Sequence, residues 1–249
     1  MTVFQRILDT RNKKGAGYWI LLDPDKISLD KIPFFMAQAG RAGVDGFLIG
    51  GSLILSSDFQ QFVQEIKKYS NEIPVILFPG SVHQITPEAD AMLFLSLISG
   101  RDAQHIIGSQ VMAAPLVYRS GIEAISTAYL LIDSGRPTSA QFMSGTMPLP
   151  RNKPDIVVAH ALAAQYLGFK LVYLEGGSGA DHSVPVEIIS AVCKVINIPV
   201  IVGGGIRTPQ DARAKVKAGA SFIVTGNVLE SSKDSDLMSK LARAVHQSI

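Results

Sequence analysis

Short apolar segments alternate with amphipathic segments along most of the chain. Eight of the apolar segments contain four to nine residues, and they show little of the polar alternation of a half-exposed strand. Runs of this kind are typical of parallel strands that are buried on both faces. We predict strands at Tyr18–Leu22, Gly46–Ile49, Pro74–Phe78, Ala91–Leu95, Ala124–Ile132, Leu171–Leu174, Pro199–Val202 and Ser221–Val224.

Segments with helical spacing follow most of these strands. We predict helices at Ser28–Ala42, with Ser28 as the N-cap, and at Asp58–Tyr69, Ala103–Tyr118, Asp155–Leu167, Pro185–Val195 and Pro209–Ala218, and a C-terminal helix that ends near Gln247. The connection from Pro79 to Asp90 contains Gly80 and Pro87 and is too irregular for a full helix. The helix after the third strand is therefore predicted to be missing or reduced.

The alternation of strands and helices predicts an α/β fold. No linker composition divides the chain, so we predict one domain over residues 1–249, a (β/α)8 TIM barrel. A doubly wound open sheet is the alternative. Residues 133–154 are rich in Ser, Gly and Pro, and they predict a long structureless loop that serves as a lid or mobile segment.

Composition excludes several classes of protein. The chain is 47% hydrophobic and only 18% charged, which excludes a disordered protein. Its net charge of +2 comes from dispersed Lys and Arg residues, so we expect no nucleic-acid partner. The single cysteine, Cys193, excludes an internal disulfide and a cysteine-based metal cluster. The longest apolar run, Ala91–Ile98, is too short to span a membrane, and we expect a cytoplasmic protein without a transmembrane segment.

The segment Tyr173–Ala180 carries the most specific chemistry in the chain. Tyr173 and Glu175 are two residues apart at the end of a predicted strand, so both side chains should project to the same side. The glycines and Ser178 that follow can offer backbone amides to an anion. This pattern indicates a site that holds a phosphorylated alcohol beside an acid–base group. A strand followed by a flexible turn, with Glu175 merely solvated, is the alternative.

Glycine-rich turns follow the last three predicted strands. They are Gly176–Ala180, Gly203–Arg207 and Gly226–Asn227. In a (β/α)8 barrel these turns meet at the carboxyl-terminal face, where phosphate sites are common. They predict a phosphate cradle, which barrel isomerases and lyases also contain.

A carboxylate and a hydroxyl group end the first two predicted strands. Asp23 and Ser52 should lie on the same rim of a barrel. Mg²⁺ is held by few protein oxygens together with substrate phosphate, which this pair could supply. Asp23 and Ser52 could instead cap a turn and a helix, and Asp25 and Lys26 are further candidates for the metal and the anion. The five histidines have no metal-ligand spacing.

Six motifs in order resemble those of the geranylgeranylglyceryl phosphate synthase family over nearly the whole chain. They are LDPDK, FLIGGS, ILFPGS, YLEGGSGA, VGGGIRTPQDA and VTGNVLE. The resemblance implies Mg²⁺ at Asp23 and Ser52. It implies that sn-glycerol 1-phosphate is bound by Tyr173, Leu174, Glu175, Gly176, Gly177, Ser178, Gly179, Gly204, Gly205, Gly226 and Asn227. Some members carry Lys two residues before the metal-binding Asp, where this chain has Leu21.

The resemblance further implies a prenyltransferase that joins the sn-3 hydroxyl of sn-glycerol 1-phosphate to geranylgeranyl diphosphate. Glu175 would orient or deprotonate that hydroxyl, and Tyr173 would position it. We expect the strand Ala91–Leu95 and the following Ser96–Asp102 to form walls of a groove for the prenyl chain. The family also implies a homo-oligomer, a dimer or a hexamer. The competing hypotheses are an isomerase or lyase that acts on a phosphosugar, and a non-catalytic phosphoglycerol-binding protein.

Overall fold

Eight parallel strands close into a barrel in the computed structural model, which describes residues 1–55, 58–231 and 234–246. The strands are β1 Gly17–Leu22, β2 Gly46–Ile49, β3 Val75–Leu77, β4 Ala91–Ser96, β5 Glu123–Leu131, β6 Leu171–Glu175, β7 Val200–Gly203 and β8 Phe222–Thr225. β1 pairs with both β2 and β8. Closure confirms the predicted (β/α)8 barrel and excludes the open sheet; the single domain over residues 1–249 stays a prediction.

Helices surround the barrel. They are α1 Val3–Lys14, α2 Ile32–Ala42, α3 Phe59–Tyr69, α4 Ser109–Ser120, α5 Ser139–Ser144, α6 Pro154–Tyr166, α7 Val186–Cys193, α8 Pro209–Lys217, α9 Asn227–Ser231 and α10 Leu237–His246. Between β3 and β4 only a short 3₁₀ helix forms, Val82–Gln84. The predicted loss of the helix after the third strand is therefore confirmed. In the described part of the chain no helix is long and apolar enough to cross a membrane.

The sequence did not predict α1, which covers the amino-terminal end of the barrel. Its backbone amides at Val3 and Phe4 donate to the Glu123 carboxylate at the start of β5. Only Val3 and Ile7 of this helix are buried, and they pack into the barrel interior near Trp19. Because most of α1 is polar and partly exposed, it has little of the apolar periodicity by which helices are found.

Two predicted helix starts and one predicted loop differ most from the structure. The helix predicted from Ser28 begins at Ile32 after a 3₁₀ turn, and the Ser28 side chain makes no capping bond. The helix predicted from Ala103 begins as a π-helix, Gln104–Gly108, that continues into α4. The segment predicted to be structureless contains α5, which the Thr138 hydroxyl caps. The predicted helix end near Gln247 lies outside the described residues.

Aromatic residues pack at both ends of the barrel interior. Trp19 stacks on Phe222 with ring centroids 4.4 Å apart. At the other end Phe78, Tyr129 and Tyr173 pack together, with 5.1 Å between the Phe78 and Tyr173 centroids. These rings form the floor on which the candidate site is built.

Candidate active site

A cavity of about 440 Å³ opens at the carboxyl-terminal ends of the strands. It is lined by these predicted site residues: Asp23, Ser52, Tyr173, Glu175, Gly177, Ser178, Gly179, Gly204, Gly205, Gly226 and Asn227. Leu174 and Gly176 do not line it. Leu174 packs into the core outside the barrel, and the Gly176 amide donates to the Gly203 carbonyl at 3.0 Å. These two residues form the support of the cradle rather than its surface.

Glu175 is a buried carboxylate at the floor of this cavity, with only 5% of its surface exposed. It ends β6 opposite Gly203 of β7, and one carboxylate oxygen accepts a hydrogen bond from the Gly177 amide. Burial raises the pKa of Glu175 to about 7, although the Gly177 amide acts in the opposite direction. The alternative of a solvated Glu175 is therefore wrong.

Tyr173 lies close to Glu175, and its ring packs against the rings of Phe78 and Tyr129. Its hydroxyl is buried and makes no hydrogen bond to any residue that the structure describes. The hydroxyl is near enough to the Glu175 carboxyl group to favour its charged form, but it lies outside hydrogen-bonding geometry. Burial raises the pKa of Tyr173 well above its ordinary value, so the phenol is neutral at pH 7. An unpartnered buried hydroxyl next to a cavity is a group prepared to bind a polar ligand.

The cradle depends on close approach between the loops after β6 and β7. Gly204 has φ +81°, and a Cβ atom there would lie 2.3 Å from Glu175 Oε1 and 2.4 Å from the Gly177 nitrogen. Only glycine fits this position. Among the described residues, the amides of Ser178, Gly179, Gly204 and Gly205 form no hydrogen bond. Four such donors around one cavity are suited to an anion such as phosphate.

A chain of polar side chains connects the loops after β1, β8 and β6. Lys26 Nζ lies 3.2 Å from Asp23 Oδ2 and donates to Asn227 Oδ1 at 2.9 Å. Asn227 Nδ2 in turn donates to Ser178 Oγ at 2.8 Å. The sequence proposed Lys26 as an anion ligand, and its side chain does line the cavity. Asp25, the other candidate for the metal, accepts from the Leu55 amide at 2.7 Å and does not line it.

Asp23 and Ser52 supply a carboxylate and a hydroxyl to the same wall of the cavity. The Ser52 hydroxyl forms no hydrogen bond within the described residues. No three His, Cys, Asp or Glu side chains cluster as metal ligands within residues 1–55, 58–231 and 234–246. This donor set does not fit zinc, but it fits Mg²⁺, which retains waters and is bound through one or two protein oxygens plus phosphate.

A second, apolar cavity of about 610 Å³ adjoins the first. The two share six lining residues, which are Gly51, Ser52, Leu53, Phe78, Tyr129 and Ala140. The walls of the apolar cavity include Met92, Phe94 and Leu95 from β4, Leu97 after it, Ala113 from α4 and Met143 from α5. The predicted contribution of the fourth strand is thus present, but from residues 96–102 only Leu97 lines the cavity.

Sequence reasoning missed the walls that come from α4, α5 and the connection after β3. Ala113 and Met143 have no chemistry that distinguishes them from core residues, so no local signal marks them. Phe78 and Tyr129 could have been found as aromatic residues at the carboxyl ends of strands, where barrel sites form. Both residues line the polar cavity as well as the apolar one.

The fold and its cavities define a class: a (β/α)8 barrel protein in which a polar cavity, lined by backbone amides, adjoins an apolar cavity. The chain belongs to the PcrB family, whose model matches residues 8–245. It is 46% identical to geranylgeranylglyceryl phosphate synthase from Spirosoma linguale over 240 residues, 95% of each chain. It is 45% identical to the synthase of the same name from Thermococcus gammatolerans over 226 residues, 91% of this chain and 89% of the relative.

The structural comparison agrees with the sequence relatives. A crystal structure of (S)-3-O-geranylgeranylglyceryl phosphate synthase from Thermoplasma acidophilum, in complex with its substrate sn-glycerol-1-phosphate, matches with a TM-score of 0.90. Its sequence is 34% identical, and the match covers 99% of both chains. At this identity and coverage, the likeness extends beyond the barrel fold to the family.

Proposed function

We propose that this protein is a geranylgeranylglyceryl phosphate synthase. It joins the sn-3 hydroxyl of sn-glycerol 1-phosphate to geranylgeranyl diphosphate: the allylic C–O bond breaks, an ether C–O bond forms and diphosphate leaves. The observation that carries this proposal is that an anion cradle containing Glu175 opens directly into an apolar groove. The names of the relatives support the same reaction.

In this proposal the polar cavity binds sn-glycerol 1-phosphate. The amides of Ser178, Gly179, Gly204 and Gly205, which have no hydrogen-bond partner among the described residues, are the donors for its phosphate. The turn at Gly226 and Asn227 lines the same cavity, and Asn227 Nδ2 donates to Ser178 Oγ at 2.8 Å. This arrangement leaves the glycerol hydroxyl groups on the side of Tyr173 and Glu175.

Glu175 is the general base in the proposed reaction. A base is most effective when its pKa is near the working pH, and burial raises the pKa of Glu175 to about 7. Glu175 accepts the proton of the sn-3 hydroxyl as the oxygen attacks the allylic carbon. The Tyr173 hydroxyl, which has no partner among the described residues, is the donor that orients the substrate.

Asp23 and Ser52 are the residues that would hold Mg²⁺ with the diphosphate. When bound, the ion supplies positive charge to the leaving group. Lys26, next to Asp23, adds a second cation on the same side of the cavity. Phe78 and Tyr129 lie where this polar cavity adjoins the apolar one, which takes the prenyl chain and keeps water away from it.

A direct assay tests the proposed reaction. Purified protein is incubated with radiolabelled sn-glycerol 1-phosphate, geranylgeranyl diphosphate and Mg²⁺, with and without EDTA. We expect a lipid-soluble ether product that EDTA abolishes. Turnover of a phosphosugar that EDTA does not affect would favour the isomerase or lyase. Binding of both ligands without product would favour a non-catalytic phosphoglycerol-binding protein.

We also propose that the protein forms a homo-oligomer, a dimer or a hexamer, through the outer face of α4 and the region after it. Large apolar side chains that are more than half exposed include Ile107 just before α4, Val111, Met112 and Tyr118 on α4, and Phe142 and Met147 after β5. Contiguous exposed apolar surface marks interaction sites.

We also propose a cytoplasmic location. Both substrates are charged phosphates that do not cross membranes unaided, so the enzyme should lie in the compartment that contains them. Cell fractionation tests this proposal.

Light scattering after size exclusion tests the oligomer. We expect the wild type to be a dimer or larger, and Met112→Glu to shift it toward the monomer because it places a charge in the apolar contact. Phe34→Glu, at a similarly exposed apolar position on α2, is the control and should leave the mass unchanged. A monomeric wild type would contradict the proposal.

A further inference from the structure

Two arginines hold the loop after β6: Arg136, which lies outside the polar cavity, and Arg207, which also lines that cavity. Arg136 comes from the loop after β5, and both its Nε, at 2.7 Å, and its Nη2 donate to the Gly179 carbonyl. Arg207 comes from the loop after β7 and donates to the Ala180 carbonyl at 2.5 Å and to the Asp181 carbonyl at 3.0 Å. Three successive carbonyls are thus held by guanidinium groups from the two neighbouring loops.

The carbonyls of Gly179 and Ala180 belong to the turn Gly177–Ala180, which also contains two of the amides of the cradle. The turn is closed by a hydrogen bond from the Ala180 amide to the Gly177 carbonyl at 3.2 Å. Ser178 and Gly179 are its central residues, and their amides are donors of the cradle. Hydrogen bonds to the Gly179 and Ala180 carbonyls fix the backbone conformation of the second half of this turn. They therefore also fix the direction in which the Ser178 and Gly179 amides point.

The arginines also change the electrostatics of the turn. Carbonyl oxygens carry partial negative charge, which opposes the binding of a phosphate nearby. A charged donor on each carbonyl offsets that charge and polarises the peptide group. The ion pair between Arg136 Nε and Asp181 Oδ1 at 3.3 Å is about half exposed on both sides, so it contributes little to folding by itself.

We infer that Arg136 and Arg207 are positioning residues: their hydrogen bonds to the carbonyls hold the Gly177–Asp181 turn in its anion-binding form, and the geometry of that turn is what phosphate binding requires of them. This inference rests on the proposed function, in which that turn binds the phosphate of sn-glycerol 1-phosphate. Both side chains are exposed at the surface, so their removal should affect the turn far more than the barrel core.

Kinetics on Arg136→Met and Arg207→Met test the inference. For each variant we expect KM for sn-glycerol 1-phosphate to rise about tenfold or more, as is common when charged hydrogen bonds are lost. KM for geranylgeranyl diphosphate should stay within about twofold, and Tm should change little, because surface substitutions usually have small effects on stability. Arg41→Met, an exposed arginine on α2 at another part of the surface, is the matched control.

Arg136→Lys and Arg207→Lys separate geometry from charge. Lysine keeps the charge but lacks the planar guanidinium group, whose several N–H donors bond the carbonyls in a fixed geometry. We therefore expect lysine to recover little of the lost affinity. Full recovery by lysine would show that only charge matters and would overturn the inference. An unchanged KM, or equal losses for both substrates with a lowered Tm, would also overturn it.

Titration calorimetry with sn-glycerol 1-phosphate keeps this result distinct from a failure of the proposed function. If the wild type and Arg41→Met bind no glycerol phosphate, the proposed function fails and the inference fails with it. If both bind and the Met variants bind equally well, only the inference fails. Binding that weakens about tenfold in the Met variants alone supports both.

Discussion

At the scale of single residues, the position of Glu175 matters as much as its chemistry. Its carboxyl group is buried between the loops after β6 and β7, and burial raises its pKa to about 7. Glu175→Gln keeps the shape and removes the base. We expect kcat to fall about a hundredfold or more, while the Kd for sn-glycerol 1-phosphate changes less than about threefold. Equal losses in turnover and binding would remove Glu175 from the proton transfer.

The pH dependence of turnover gives a second view of the same group. Below pH about 7 the wild type should lose kcat as Glu175 becomes protonated, by up to about tenfold per pH unit. The residual activity of Glu175→Gln should lack this acidic limb. The measurement is kcat at saturating concentrations of both substrates between pH 5 and pH 8.5.

Glu175 should also make stability depend on pH. Because its pKa is raised from 4.5 to about 7 in the folded state, the folded state binds the proton more tightly than the unfolded state. Its contribution therefore becomes unfavourable as pH rises from about 4.5 to about 7, by a few kcal/mol at most. Denaturant unfolding of the wild type and Glu175→Gln at pH 5 and pH 8 measures this contribution. The free energy of unfolding of the variant, relative to that of the wild type, should be higher at pH 8 than at pH 5. No relative gain would contradict the shift.

Tyr173 is a case in which function and stability should oppose each other. Its buried hydroxyl makes no hydrogen bond among the described residues, and such a group costs about 1–3 kcal/mol. Tyr173→Phe should therefore unfold at the same or a higher Tm, yet bind sn-glycerol 1-phosphate more weakly. Calorimetry in the absence and presence of the ligand measures both effects. A lower Tm together with unchanged binding would exclude the hydroxyl from the site.

The sequence predicted that Tyr173 and Glu175 face one side, since two residues on a strand must do so. It could not predict that Glu175 is buried. That burial is produced by Gly204, 29 positions further along the chain, whose missing side chain allows the next loop to pack over the carboxylate. Long-range packing of this kind leaves no local pattern.

At the scale of elements, the apolar groove depends on which helices flank it. Ala113 of α4 faces the groove, and the helix reaches this place through the π-turn that precedes it. Ala113→Phe should fill part of the groove and shift the preference from geranylgeranyl diphosphate toward shorter prenyl diphosphates. We expect kcat/KM to change by about tenfold or more in favour of farnesyl diphosphate.

The control for this prediction is Ala159→Phe, an exposed alanine on α6. It should leave the ratio of kcat/KM values for the two prenyl diphosphates unchanged. An unchanged ratio in Ala113→Phe as well would show that the prenyl chain lies elsewhere.

Elements were predicted best where burial is complete. All eight strands were found, because short apolar runs between amphipathic segments are typical of strands buried on both faces. The five-residue helix α9 was missed, and so were helix α1 and the six-residue helix α5. α1 buries only two of its residues, and α5 lies in a segment whose Ser, Gly and Pro content suggested a loop. Neither helix therefore has the apolar periodicity that marks a helix in the sequence.

At the scale of the whole molecule, barrel closure creates the site. The pairing of β1 with β8 brings the loop that contains Asp23 next to Gly226 and Asn227, about 200 positions later in the sequence. Lys26 then connects Asp23 with Asn227. Topology was predictable from the alternation of strands and helices, and the convergence of the loops follows from it. The hydrogen-bond partner of each polar side chain does not follow from the topology.

In the proposed reaction, the sn-3 hydroxyl of glycerol phosphate attacks the allylic carbon and displaces diphosphate. The most direct test uses sn-glycerol 1-phosphate labelled with ¹⁸O at that hydroxyl, together with geranylgeranyl diphosphate and Mg²⁺. Mass spectrometry should find the label in the ether product and none in the released diphosphate. An absence of ether product, or label in the diphosphate, would contradict this reaction.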